Sequence, residues 1–423
     1  MTTDPTPPGS PPFAPTDPQL GPILHRFNLT ELSGSFGDLG TFLPLAVAMA
    51  LVCRLDFSII LICAGAMNIL TGLCFRQPMP VQPMKAIAAV AITERLSAGD
   101  IAAAGLIMGV ALVVLAASGT IDFVARWVPK SVVRGIQLGV GAKLVLTALS
   151  WIVSVDFSAP KISQHMDWIA KDHPLNDSII LVAIVTAGLL LPWARRGPWL
   201  LIIFLLGFAV TYATNPDAFS NVSMQWPNFH IVTPTLKEWQ TGLIDGAIPQ
   251  LPLTLINSVI AICALSADYF PGRGASPRKV GLSVGFMNLL CVPFGAMPMC
   301  HGAGGLAAQY RFGARTGGSV IMLGALKLIT GLLLGASLIH LLDAYPVAIL
   351  CAMLILAGVT LASAARDTRR GSPLLIVLLT AAAIVAIDTL TGFLIGVGVF
   401  LIFQLIKNLH KLITLYLSVV RAL

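Results

Sequence analysis

From about residue 29 onward the chain alternates long apolar runs with short polar connections. A membrane span needs ~20 predominantly apolar residues. Fourteen segments are candidates: 29–52, 57–75, 78–94, 100–118, 131–153, 178–192, 198–213, 242–266, 279–297, 300–312, 317–341, 345–363, 373–388 and 390–417. The pattern predicts an all-α integral membrane protein. The third and tenth segments stand apart, being short and polar at their starts. Irregular backbone survives in lipid only where it faces protein or a wet cavity. These two segments are therefore expected to be half-helices that begin inside the bilayer.

The same breaks reveal an internal repeat. Gly65-Ala66-Met67-Asn68-Ile69-Leu70 returns as Gly285-Phe286-Met287-Asn288-Leu289-Leu290, and Pro78-Met79 returns as Pro298-Met299, both at an offset of 220 residues. Pro129 with Gly141 and Pro346 with Gly358 form a further pair at an offset of 217. Leu43-Pro44-Leu45 matches Leu251-Pro252-Leu253 more loosely. Each half then holds seven spans, and an odd number forces the second half to enter from the opposite face. The expected fold is a 7+7 inverted repeat. Its divisions are a tail at 1–27, a first repeat at 28–213, an external connection at 214–241 and a second repeat at 242–423.

Composition adds sidedness. Only 11% of the 423 residues are charged, against about a quarter in soluble domains. With the N-terminus inside, 18 of the 26 Lys and Arg fall in inner segments and 5 in outer loops, while Lys85, Lys143 and Lys327 fall within spans. That asymmetry places both termini in the cytoplasm. It also accounts for the net charge of +7 without nucleic acid. The proline-rich first 22 residues read as a cytoplasmic tail without the basic and apolar regions of a signal peptide. With no transit segment apparent, the cell membrane is the expected location. The seven cysteines lie in or beside apolar segments without a C-x-x-C pair, so structural thiols are expected, with Cys300 at the second break the one worth testing.

Candidate chemistry gathers at the breaks. A helix that starts within the membrane presents unpaired N–H groups and about half a positive charge, which suits an anion. Gln82-Pro83-Met84-Lys85 and Gly302-Ala303-Gly304-Gly305 supply such starts, with His301 just before the second. Facing each other near the midplane, they would hold one compact dianion. Proline and glycine also kink packed helices without binding anything. A lysine at the depth of Lys85 calls for an anion, a carboxylate such as Asp38, or escape to the interface. Asp38, in the glycine-rich Gly34–Thr41 stretch, is a candidate proton carrier or a static partner for Lys85; Thr41 lies beside it. His301 is a candidate for binding or for relaying a proton. In the eighth span Gln250, Thr254 and Asn257 share one helical face, where they can satisfy carbonyls freed by Pro249 and Pro252 or touch substrate. Asp388 reads as a helix cap. Lys143 and Lys327 need partners that spacing does not reveal. The scattered histidines form no metal cluster, no phosphate loop of the G-x-x-x-x-G-K-[ST] type is present, and no cofactor is expected. These features argue against an enzyme.

"FGDLGTFLPL" with "PMPVQPMKAIAAVAI", and "PQLPLTLINSVIAICALSADYFP" with "GAMPMCHGAGGLAAQYRFGARTGG", resemble the molybdate transporter family within the sulfate permease superfamily. The similarity runs from about residue 28 to the end. It implies fourteen spans divided into a core (spans 1–4 and 8–11) and a gate, with molybdate bound between spans 3 and 10 and carried by an elevator-like exchange of access. Tungstate and sulfate are the implied competitors. The chain lacks the C-terminal STAS domain of typical sulfate permeases, which favours the molybdate branch. Where proton-coupled relatives carry a glutamate in the eighth span, this chain has Gln250, so coupling by protons would rest on Asp38 and His301. A sulfate or other anion carrier, an anion channel and a nucleobase permease on the same fold remain the alternatives, and a homodimer is compatible with the reading.

Overall fold

The computed structural model describes residues 25–153, 199–220, 226–227, 229–335, 337–368 and 371–422. Most of the expected tail, the connection at 154–177 and the sixth expected span at 178–192 lie outside these residues.

The first expected span is a bent pair, α1 (Leu29–Ser35) and α2 (Leu39–Val52), with a 48° change of direction at the glycine-bearing stretch between them. α3 (Phe57–Phe75) begins where Asp56 accepts from the N–H groups of Ser58 and Ile59, and it ends at left-handed Arg76. A two-residue strand, β1 (Gln82–Pro83), then leads into the short α4 (Lys85–Glu94). α5 (Ala98–Ala117) starts with a capping box in which Ser97 and Asp100 satisfy each other's backbone. α6 (Ile121–Trp127), α7 (Lys130–Val153), α8 (Trp199–Thr214) and the single turn α9 (Asp217–Ser220) follow.

The second half opens with one helical run of 34 residues, α10 (Leu236–Tyr269). A capping box between Thr235 and Glu238 starts it inside the segment expected to be a connection, so the helix begins six residues before the expected boundary at 242. Within it, Gly242–Ala247 and Thr254–Ile260 widen to π-helix on either side of Pro249 and Pro252. Proline lacks the N–H that an α-helical turn needs, and the wider turn accommodates that loss. α11 (Pro277–Cys291), β2 (Met299–Cys300) and α12 (Ala303–Arg311) repeat the helix, strand, short-helix order of the first half. The chain closes with α13 (Gly318–Leu334), α14 (Ser337–Asp343), α15 (Val347–Ser363), α16 (Ser372–Ala386) and α17 (Thr389–Ala422).

Six of these helices are long and apolar enough to cross a membrane, and the bent α1–α2 pair would be a seventh. They pack in two groups. In one, α3 lies against α13, and α5 against α11 and α10; in the other, α7 lies against α15 and α16, and α16 against α17. Contacts of α4 with α7 and of α2 with α15 join the groups. Repeat-related positions touch in the second group. A Cβ on Gly141 would lie 2.5 Å from the Gly358 carbonyl oxygen, and one on Gly358 would lie 2.5 Å from that of Gly141. Only glycine lets two helix backbones approach so closely. Between α2 and α4, Phe42, Met49, Ile59, Ile60, Met79, Met84 and Ile87 are fully buried. By contrast α17 exposes Leu401, Leu405 and Leu409, an apolar surface of the kind that lipid covers.

Candidate functional site

The two breaks meet. β1 and β2 pair antiparallel, with Gln82 opposite Cys300 and Pro83 opposite Met299. The Met84 N–H extends the pairing to the Pro298 carbonyl at 2.8 Å. Pairing of this kind is how non-helical backbone in a low-dielectric interior satisfies its polar groups. Asn288 seals the β2 side: its Oδ1 accepts from the Met299 N–H at 2.8 Å, and its Nδ2 donates to the Met299 and Val284 carbonyls, both at 2.7 Å. α4 and α12 each begin directly after their strand, so that each has its N-terminus at the crossing.

The two helix starts differ in how they are capped. At α4, Gln250 Oε1 accepts from the N–H groups of Ala86 at 2.8 Å and Ile87 at 3.2 Å, and its Nε2 donates to Thr254 Oγ1 at 2.8 Å. Gln250 therefore caps the half-helix and has no free carbonyl to offer a solute. At α12, Gly302 stands at the cap with no side-chain bond. Gly304 there is exposed, and a Cβ built on it meets nothing within 4 Å. Its neighbours are tightly covered: a Cβ on Gly302 would lie 2.1 Å from Gln82 Oε1, and one on Gly305 would lie 2.3 Å from Gln82 Nε2. One face of this helix start is thus plugged by Gln82 while the next opens to space.

A buried polar chain runs behind the crossing. Gln82 Nε2 donates to Asp38 Oδ1 at 2.7 Å, and Asp38 Oδ2 lies 3.6 Å from Lys327 Nζ. Lys327 Nζ also donates to Asn68 Oδ1 at 3.0 Å and sits 3.6 Å from the centre of the Phe42 ring. Asp38, Gln82 and Asn68 are fully buried, and Lys327 nearly so. The static partner of Asp38 is therefore Lys327, which corrects the expected pairing with Lys85. The sequence leaves Lys327 without an assigned partner because the contact joins residues from opposite halves. Lys143 finds its own partner in Glu94 at 2.6 Å. Lys85 is partly exposed, and among the described residues it forms no ion pair.

His301 is fully buried. Its Nδ1 lies 2.8 Å from the Pro80 carbonyl, which can only accept, so that nitrogen carries the proton. Its Nε2 lies 3.0 Å from Ser283 Oγ, and Phe75 packs edge-on at 5.5 Å. With both nitrogens engaged, this side chain ties the two breaks together, and nothing in its surroundings leaves it a free atom for a solute. Met84 is likewise buried, and Pro83 lies within the strand pair. Cys300 is a buried free thiol. Thr41, Ala303 and Asn257 are partly exposed. Asp388 caps α17 as expected, accepting from the Thr391 N–H at 2.7 Å. The role of Asn288 went unread in the sequence, although the repeated hexapeptide contains it, as it does Asn68.

A family profile described as "Molybdate transporter of MFS superfamily" matches residues 30–144 and 242–361. Those two stretches carry both breaks, both half-helices and the Asp38–Lys327 pair. The chain belongs to this molybdate transporter family. "Molybdate transporter 1" of Arabidopsis thaliana is 38% identical over 400 residues, covering 88% of each chain. "Molybdate transporter 2" of the same plant is 40% identical over 406 residues, covering 89% of this chain and 87% of its own. "Molybdate transporter 1" of Chlamydomonas reinhardtii is 33% identical over 471 residues, covering 88% and 90%. The family is one of transporters and not of enzymes.

Solved structures define the fold to which the family belongs. SLC26A9 matches with a TM-score of 0.65 at 15% identity over 89% of this chain, which spans 65% of the SLC26A9 chain. The murine SLC26A9 anion transporter in its inward-facing state matches with a TM-score of 0.67 at 15% identity, over 91% of this chain and 69% of its own. The transmembrane domain of the cyanobacterial bicarbonate transporter BicA matches with a TM-score of 0.63 at 16% identity, over 87% and 97%. The profile description names the MFS superfamily, whereas the fold of the chain is the one shared with SLC26A9 and BicA. The chain is a multi-pass membrane transporter.

Proposed function

We propose that the chain is a secondary-active carrier that imports molybdate across the cell membrane. The observation that carries this reading is the crossing of two broken spans. It brings the starts of two half-helices together, with Lys85, which forms no ion pair among the described residues, in the first turn of one and open space at Gly304 in the first turn of the other. A compact dianion is the solute such a place suits, because partial positive charge at helix starts and a full charge on Lys85 act on it together. Relatives named as molybdate transporters, at 33 to 40% identity, supply the choice among oxyanions.

In this reading the chain forms fourteen spans as a 7+7 inverted repeat with both termini cytoplasmic. Residues 28–213 and 242–423 are the two repeats, and the two packing groups are the core and the gate. Transport is elevator-like: the core, carrying the crossing, shifts against the gate to change which side the pocket faces. Lys85, Thr41, Asn257, Ala303 and the backbone N–H of Gly304 contact the anion. Gln82, Pro83, Met84, Gly302, Gln250 and His301 shape and brace that pocket. Asp38 is the carboxylate bonded into the crossing.

The test is uptake of molybdate into liposomes containing the purified protein, with sulfate, tungstate and uracil as competitors and with imposed pH gradients. Saturable uptake that sulfate inhibits weakly and uracil leaves unchanged supports the reading. Uracil uptake would move the chain to the nucleobase permeases. Failure of any gradient to drive uphill accumulation would make it a channel.

A further inference from the structure

We infer that Lys327 is a positioning residue for anion binding: it neutralises Asp38 while the anion is bound, so that Lys85 alone sets the charge of the pocket. The inference rests on the oxyanion reading above. Asp38 is fully buried, one side chain away from the open end of α12, because Gln82 joins the two. A bare carboxylate there would repel a dianion at the crossing. Lys327 removes that repulsion from behind. Its ammonium lies 3.6 Å from Asp38 Oδ2, 3.0 Å from Asn68 Oδ1 and 3.6 Å from the centre of the Phe42 ring. Lys327 and Gln82 take different oxygens of the Asp38 carboxylate, Oδ2 and Oδ1, so Lys327 works through Asp38 and not by touching the solute.

The repeat shows what was changed to build this device. Asn288 spends its side chain on the backbone of Met299, as a structural clamp. Its counterpart Asn68, 220 residues earlier, instead gives its oxygen to Lys327 and leaves its Nδ2 without a partner among the described residues. A buried amide nitrogen left unpaired is unfavourable, so the exchange makes sense only if holding Lys327 matters more than clamping the strand. The second effect of the pair is orientation. With Asp38 ionised, Gln82 must point Nε2 toward it, which fixes the amide that plugs Gly302 and Gly305.

The charges give opposite signs to two substitutions, which a purely structural role would not. Lys327→Met leaves a negative charge behind the pocket, and Asp38→Asn leaves a positive one. Unit charges a few ångström beyond Gln82 change anion affinity by on the order of tenfold at the effective dielectric of a protein interior. Molybdate uptake in proteoliposomes should be measured at equal pH on both sides, with elution profiles in detergent to follow folding. Lys327→Met is expected to raise KM on the order of tenfold and Asp38→Asn to lower it, and the double variant should return to within about threefold of the parent. If Lys327→Met does not fold, the lowered KM of Asp38→Asn and its reversal in the double variant carry the same test. Singles that move KM in one direction, or a double variant no better than Lys327→Met, would overturn the inference. Absence of molybdate uptake by the unsubstituted protein would instead remove the oxyanion reading on which it stands.

Discussion

Gly304 separates binding from folding more cleanly than any other position at the crossing. A Cβ there meets nothing within 4 Å, while one on Gly302 or Gly305 lands on Gln82 at 2.1 or 2.3 Å. Gly304 lies in the first turn of α12, and its φ is not in the left-handed region. Alanine in place of a helical glycine stabilises by about 0.5–1 kcal/mol. Gly304→Ala should therefore leave the melting temperature unchanged or raise it. The same methyl enters the space assigned to the anion, and Gly304→Leu fills more of it. A tenfold rise in KM corresponds to about 1.4 kcal/mol of lost binding, and Gly304→Leu is expected to lose at least that much. The assays are thermal unfolding in detergent and initial rates of molybdate uptake across a concentration series. Gly302→Ala and Gly305→Ala serve as controls that should lose stability as well as uptake. A Gly304→Leu protein with the parent's KM would show that the open face of α12 is not where the anion sits.

Three further outcomes follow from the same geometry. Gln250→Leu removes the cap from Ala86 and Ile87; two buried donors left unpaired cost about 2–4 kcal/mol together, seen as a lower melting temperature. Lys85→Ala should cut uptake sharply with normal abundance of folded protein, since among the described residues this lysine makes no ion pair whose loss would destabilise the fold; parent-like uptake would remove it from the pocket. Gly141→Val should unfold the protein or block its expression, because its Cβ would lie 2.5 Å from the Gly358 carbonyl oxygen; a stable variant would contradict the close helix contact.

Spans and breaks were readable because they depend on local composition. The run 57–75 coincides with α3, and the polar starts of segments 78–94 and 300–312 become β1 and β2 followed by short helices. The start of α10 was misplaced because Thr235-x-x-Glu238, a capping box, lies in the segment 214–241 read as an external connection. What remained hidden was side-chain direction and long-range pairing. Sequence puts His301 at the second break but cannot say that its ring faces Pro80 and Ser283. Asp38 and Lys327 come from opposite halves of the chain, and no spacing rule connects them. Gln250 was readable as a polar residue on the correct face; that it caps another helix was not.

The anion is expected to rest where the two broken spans cross. Anomalous diffraction at the molybdenum edge from crystals grown with molybdate locates it, because the solute's own metal atom marks its position. One strong peak is expected at the crossing, with anion oxygens within hydrogen-bond reach of Lys85 Nζ and the Gly304 N–H. A peak elsewhere in the membrane region, with the crossing vacant, would contradict it.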